Sequence, residues 1–370
     1  MLKEFRVRNF MNFRDELVFS LESEKNYEFN NNLIEDGVIK HAAVVGYNAS
    51  GKSNLGIAIL DIANHITDKA KTNISKGLYT NLNSADTEAH FTYLFQFENH
   101  TVKYQYDKID FQTVTRERVW IDGKEILRKD KELVFVDLAG AETVNLDIIN
   151  SDISLVRYVY ANTVLNMEDI YSKVFVEFVD FVKGMLAAMA TDTRKYAGFT
   201  NTSGNMFSLI CDLENGVDEL EAFLHRVGID YQLTEMDDEE GKNIYCKFGK
   251  KTVKLSSLCS SGTRSLIFFF YWYKQRNNIK FMYLDEFDAF YHTDLAKQIM
   301  TILTEMRDMQ IVVSTHNTDV ISNEFLRPDC YFILEDNEIQ PFYKRTRKAL
   351  REAHNLQKMY KAGAFNETLC

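Results

Sequence analysis

The chain has 370 residues, 45% of them hydrophobic, enough to bury one large two-lobed domain or two modest ones. Its formal net charge of −11 argues against a surface that binds nucleic acid throughout, because phosphate contacts need clustered Lys and Arg. No apolar run approaches the roughly 18 residues of a membrane span, and the start of the chain, with Lys3, Glu4 and Arg6, lacks the apolar core of a signal peptide. Both features lead to the expectation of a cytoplasmic protein without membrane contact, and the five cysteines, Cys211, Cys246, Cys259, Cys330 and Cys370, which include no C-x-x-C pair, to that of reduced thiols and no zinc site.

Taken in chain order, residues 1–13 read as a strand followed by a turn with the pair Asn12-Phe13. The run Ala42, Ala43, Val44, Val45 reads as a short buried strand, and residues 54–66 read as a helix. Between them, GYNASGKS at 46–53 fits G-x-x-x-x-G-K-[ST] without a mismatch. Backbone N–H groups of such a turn surround phosphates; Gly46, Asn48, Ala49, Ser50, Gly51, Lys52, Ser53 and Asn54 are therefore the expected ATP-binding residues, with Lys52 as a point charge and Ser53 on Mg²⁺.

Residues 88–121 alternate, with Phe91, Tyr93, Phe95 and Phe97, then Val102, Tyr104 and Tyr106, which predicts an antiparallel meander turning at Asn99-His100. The aromatic stripe reads as core packing, not as a base-stacking platform. From Met167 to Ala190 the spacing becomes helical through Ile170, Val174, Phe178, Phe181, Val182 and Met185. A glycine- and threonine-rich loop near 198–204, a helix over 218–227 and an acidic loop at 237–241 follow. No sustained heptads occur, so a long coiled coil is not expected. The two prolines, Pro328 and Pro341, form no proline-rich linker.

Cys259, Ser260, Ser261, Gly262 and Thr263 precede an apolar helical run; hydroxyls and a glycine there describe a plain N-cap or a second phosphate site. Residues 281–284 form another continuous apolar run, typical of a strand covered on both faces, and it ends in Asp285 and Glu286. Successive residues at a strand end point to opposite sides, so Asp285 can face Mg²⁺ while Glu286 faces the attacking water as general base. A third buried strand over 310–315 ends at His316, placed to sense the γ-phosphate, with Asn317 orienting its loop. Basic segments occur at 124–131 and 344–351, the latter read as a solvated face of a terminal helix.

This order of motifs resembles the ABC-type ATPase heads of the SMC, Rad50 and RecF class. The resemblance covers about residues 1–160 and 250–370 and leaves 161–249 unmatched. It implies an α/β fold: a P-loop ATPase head with a mixed β-sheet core, an antiparallel meander and a helical insertion at 161–249 for assembly or partner contact. Residues 259–263 fall on the family's signature Leu-Ser-Gly-Gly-Gln; Ser260 and Gly262 match, whereas Cys259, Ser261 and Thr263 depart. The resemblance implies that Ser260, Ser261 and Gly262 close on the nucleotide of a second copy. The departures are similar to compact prokaryotic AAA15 and OLD-like ATPases, as is the ending at 359–365. Residues 1–13 resemble the first strand and turn of these heads. After the acidic pair, residues 287–293 follow the family's stretch except that Thr293 stands where proline is usual, with Asp288 and His292 as lesser candidates. Gln96 is the expectation for the family's Mg²⁺-binding glutamine.

Relatives of this type occur in phage defence, in abortive-infection and PARIS-type systems, paired with a nuclease or toxin effector. The implied function is a slow, regulatory, ATP-hydrolysing switch that works as a homodimer or higher homo-oligomer and controls such an effector. The alternatives are a RecF- or Rad50-like repair ATPase that binds DNA, and a transporter subunit, which the N-terminal strand, the signature departures and the insertion disfavour.

Overall fold

In the computed structural model the described residues are 1–67, 79–131, 133–145, 153–189, 195–197 and 205–366; the loop expected near 198–204 lies outside them. The chain divides into two compact units, one of Met1–Thr200, Ile279–Phe287 and Thr301–Cys370, the other of Asn201–Asn278 and Asp288–Met300.

The first unit contains two seven-stranded sheets. One has the strand order Lys195–Ala197, Met185–Met189, Phe281–Leu284, Gln310–Thr315, His41–Val45, Tyr331–Glu335, Glu338–Pro341. Its five inner strands are parallel, and both outermost strands pair antiparallel. The continuous apolar runs account for this, since every residue of His41–Val45, Phe281–Leu284 and Gln310–Thr315 is buried and only a doubly covered strand needs that pattern. The other sheet is wholly antiparallel and joins Leu2–Arg8 and Leu17–Ser20 to the meander Ala89–Phe97, His100–Lys108, Val114–Ile121, Lys124–Lys129 and Val134–Val136. The turn in its first hairpin is Glu98-Asn99, one residue earlier than expected; Glu98 takes the left-handed conformation with φ +48°, and His100 already pairs with Phe97.

The aromatic stripe of the meander is core. Phe91, Tyr93, Phe95, Tyr104 and Tyr106 are buried, and the Phe91 and Tyr106 rings stack with centroids 4.8 Å apart. Helix Ile170–Lys183 packs on the same sheet, with Phe178 5.3 Å from Phe95 and 5.5 Å from Tyr104 between centroids. Met185, expected on that helical face, instead begins a strand after the helix stops at Gly184. Helix Lys52–Ile66 is tied to the meander by polar side chains as well as apolar ones. Asp61 accepts from Lys108 Nζ at 2.9 Å, Tyr106 at 2.9 Å and Tyr79 at 3.2 Å, and the Tyr93 hydroxyl donates to the Ala58 carbonyl at 2.9 Å.

The second unit holds helices Met206–Cys211, Gly216–Arg226, Leu255–Leu258 and Ser261–Lys274 and a three-stranded antiparallel sheet, Leu233–Asp238, Gly241–Phe248, Lys251–Lys254. The expected insertion is therefore not all helical. Ile244 and Cys246 face inward at period two and are buried, a strand signal too short to stand out from the charges around it. The acidic loop is the hairpin turn: Asp238 binds Lys254 Nζ at 2.8 Å and accepts from Tyr245 at 2.8 Å, which holds its carboxyl well below the usual range.

Candidate nucleotide site

His41–Val45 and Phe281–Leu284 flank Gln310–Thr315, with Val45 beside Thr315 and Leu284 beside Val313. Gly46, Asp285 and His316 consequently leave the sheet at one edge, the carboxyl ends of parallel strands where α/β folds bind ligands.

The loop 46–53 turns through two left-handed residues, Ala49 at φ +65° and Gly51 at φ +102°. A side chain at Gly51 would meet Asn12 Nδ2 at 2.5 Å, so glycine is needed for both conformation and space. Helix Lys52–Ile66 starts at Gly51 with no side chain capping its first turn, leaving its N–H groups directed at the loop. The Ser50 hydroxyl is buried without a partner. Lys52 is buried, and its ammonium donates to the carbonyls of Gly46 at 3.0 Å and Tyr47 at 2.9 Å; burial pushes its pKa down. Tyr283 fixes the helix start by donating to the Lys52 carbonyl at 2.6 Å. Asn48 and Ala49 are exposed.

Ser53 Oγ donates to Asp285 Oδ2 at 2.6 Å. Ser314 Oγ donates to Asp285 Oδ1 at 2.6 Å and accepts the Glu286 N–H at 2.8 Å. Burial raises the Asp285 pKa, against the hydrogen bonds from Ser314 and Ser53. Glu286 has φ +43°, a conformation uncommon for a residue with a side chain, and its Oε1 lies 3.1 Å from His316 Nε2. The structure thus brings together Lys52, Ser53, Asp285, Glu286 and His316 from three separate segments of the sequence. Asn54 donates to Asn12 Oδ1 at 2.6 Å, and Asn12 donates to Asn337 at 3.1 Å. Asn317 caps the turn Thr318–Val320 by accepting the Asp319 N–H at 2.9 Å.

The fold is α/β, a sheet with a parallel core and an antiparallel companion sheet. Residues 210–322, which include 259–263, Asp285, Glu286 and His316, match the family described as AAA domain, putative AbiEii toxin, Type IV TA system. The SMC head domain from Thermotoga maritima aligns over 92% of this chain and 98% of its own at 16% identity, with a TM-score of 0.44. An SMC head bound to the C-terminal winged-helix domain of ScpA aligns over 92% and 96% at 14% identity and a TM-score of 0.47. An SMC head with an extended coiled coil, bound to the C-terminal domain of ScpA derived from Pyrococcus furiosus, aligns over 92% and 95% at 14% and 0.44. No curated protein matches the sequence.

In the second unit, Ser260 is the N-cap of helix Ser261–Lys274, its hydroxyl accepting the Thr263 N–H at 3.1 Å. Gly262 is required by close approach, since a side chain would meet the Phe290 carbonyl at 2.8 Å. His292 Nδ1 accepts the Leu295 N–H at 3.2 Å and so caps the helix that begins at Thr293, while Asp288 is buried and its carbonyl accepts the Tyr291 N–H.

Gln96 is a correction. Its backbone accepts from the Met1 amine and donates to the Met1 carbonyl, its side chain donates to the Glu98 carbonyl at 2.6 Å, and the neighbouring Leu2 is bonded to Gln310, the first residue of its strand. Gln96 therefore sits at the end of the sheet opposite Asp285, because the strand pattern that suggested it carries no information about which end is which. A cavity of about 510 Å³ lies at that same far end, lined by residues that include Phe97, Phe181, Lys280 and Gln310.

Several cations of the basic segments are paired with carboxylates. Lys124 pairs with Asp137 at 2.8 Å, Arg128 with Asp130 at 2.7 Å, Lys344 with Glu24 and Arg345 with Glu335, both at 2.6 Å. Residues 345–351 are irregular, following the short turn Phe342–Lys344, which corrects the expectation of a terminal helix there. Among the described residues no helix is long and apolar enough to cross a membrane.

Sequence reasoning passed over one residue. Ser314, read only as part of a strand, holds the Asp285 carboxylate and the Glu286 backbone. Asn12, in the turn that the sequence pattern picked out, stands against Gly51 and Asn54. The signal for Ser314 was a hydroxyl two residues before a strand-end histidine, which gains meaning only once the strands are placed side by side.

Proposed function

We propose that the protein binds Mg²⁺-ATP at 46–54 and hydrolyses it through Glu286 as a homodimeric switch. The observation that carries this reading is the convergence of Ser53, Asp285, Glu286 and His316 at the strand edge beside the loop. The donor set fits magnesium: a hydroxyl and a carboxylate 2.6 Å apart suit an ion that keeps several waters and shares phosphate oxygens, and no cluster of three or more His, Cys, Asp or Glu suited to a metal ion occurs among the described residues. When bound, magnesium would neutralise charge on the phosphates and the leaving group. The uncapped helix start and the unpartnered Ser50 hydroxyl suit phosphate oxygens.

In this reading Lys52 binds the β- and γ-phosphates and Ser314 keeps Asp285 and the Glu286 backbone in place. Glu286 takes a proton from water as its oxygen bonds to the γ-phosphorus; the bond to the bridging oxygen breaks, and ADP leaves. His316 orients Glu286 and the γ-phosphate. Ser260, Ser261 and Gly262 of a second copy would complete the site, since a helix N-terminus carrying hydroxyls suits phosphate.

The family description for residues 210–322 names a toxin of a toxin–antitoxin system. That context supports a cytoplasmic regulatory ATPase of anti-phage defence, of abortive-infection type, whose cycle controls a nuclease or toxin. Phosphate release and ATP binding by wild type, Lys52→Ala and Glu286→Gln test the proposal. Lys52→Ala is expected to lose binding, and Glu286→Gln to keep ATP while turnover falls about 10²–10⁴-fold, the usual worth of a general base. ATP affinity equal to wild type in Lys52→Ala would refute the loop assignment.

A further inference from the structure

The segment around helix Leu356–Lys361 has no place in the chemistry above, yet it lies against the nucleotide loop. Tyr360, Lys361, Gly363 and Asn366 enclose a cavity of about 100 Å³ together with Gly46 and Tyr47. The segment is firmly anchored on its other side. The Tyr360 ring stacks on Phe342 at 5.8 Å with 7° between planes, and Phe365 packs on Phe342 at 4.3 Å. Arg345 donates to the Phe365 carbonyl at 3.0 Å and to Glu335 at 2.6 Å. Gly363 takes φ +72°, which bends the chain from the helix back to the loop.

The same helix grips the other wall of the site. Gln357 donates to Asp319 Oδ1, and Lys361 lies 3.4 Å from it; Asp319 belongs to the turn that directly follows His316. One element therefore abuts the loop that carries Gly46 and Tyr47 and the turn beyond His316.

The consequence concerns Lys52. Its ammonium is aimed by the carbonyls of Gly46 and Tyr47, and Tyr47 is 70% exposed, so packing from its own side chain does little to fix that peptide. We propose that Tyr360 is a positioning residue of the nucleotide site: with Gly363 and Asn366 it backs the first half of the loop and so sets where Lys52 is directed. This rests on the nucleotide-binding reading above. A charge that must meet phosphate oxygens is sensitive to displacements of about 1 Å.

The test is Mg²⁺-ATP binding and amide hydrogen exchange in full-length Tyr360→Ala and Tyr360→Phe. The expected result is ATP affinity about tenfold lower in Tyr360→Ala, faster exchange over 46–52 with unchanged exchange in Phe281–Leu284 and Gln310–Thr315, and near-normal behaviour in Tyr360→Phe. Wild-type affinity in Tyr360→Ala would overturn the proposal. Should that variant lose its fold, Tyr360→Leu keeps an apolar contact with Phe342 and is read the same way. Failure of wild type itself to bind ATP would instead remove the nucleotide reading, which separates the two ideas.

Discussion

Glu286 stands in a left-handed backbone conformation, φ +43°, held by its N–H on Ser314 Oγ and its carboxylate beside His316. Such a conformation costs about 1–3 kcal/mol for a residue with a side chain and persists only where neighbours enforce it. Ser314 is the enforcing neighbour, because the same hydroxyl also donates to Asp285. Ser314→Ala is expected to leave the fold intact and to lower turnover about 10- to 100-fold, the range seen when a group that orients a metal-binding carboxylate is lost. Steady-state phosphate release at saturating ATP is the measurement; an unchanged rate would mean that Glu286 is held by the chain alone. A threonine there, which keeps the hydroxyl, is expected to recover most of the activity.

At the scale of elements, helix Lys52–Ile66 carries the loop at one end and the buried pair Asp61–Lys108 near its other end, both side chains 0% exposed. The tyrosine hydroxyls of Tyr79 and Tyr106 complete the Asp61 carboxylate, so the charges are satisfied only as a set. Lys108→Ala is expected to destabilise the protein by about 3–5 kcal/mol, because it strands a buried carboxylate; urea unfolding monitored by circular dichroism reads this directly, and a loss below about 1 kcal/mol would show that water reaches Asp61. The sequence announced the elements on either side of this pair but not the pair itself. The strands at 42–45, 281–284 and 310–315 were legible as continuous apolar runs, and the meander as alternation, since burial on two faces or one leaves those two patterns. Asp61 and Lys108 lie 47 positions apart, and neither differs in sequence from a surface charge. The strands at 233–254 were hidden for a related reason: charges are interspersed along them, and Leu233, Ile244 and Cys246 alone are too few to show an alternating inner face. Gln96 was misplaced because alternation identifies a strand without saying which of its ends meets the edge that carries Asp285.

For the whole molecule, two buried histidines link stability to pH. His41, in the strand that leads to the loop, has its pKa lowered to about 4, chiefly by burial, with Lys40 nearby acting in the same direction and the carbonyls of Met306 and Leu303 opposing. His65 is also held low, by burial and by Lys108. Both are neutral in the folded state, whereas an unfolded histidine titrates near 6.5. The unfolded chain therefore binds more protons below that value, so stability is full above about pH 6.5 and falls as pH drops toward 4. Urea midpoints at a series of pH values are expected to follow this course, with a shallower fall in His41→Gln; a stability that rises on acidification would contradict the assignment.

The same scale holds the central claim, that ATP joins two copies and hydrolysis parts them. A charge of −11 on each copy opposes association at low salt. The most direct measurement is the solution mass of Glu286→Gln with and without Mg²⁺-ATP, alongside its phosphate release. The account predicts a doubled mass only with ATP and turnover lost; a mass unchanged by ATP, or hydrolysis at the wild-type rate, would contradict it.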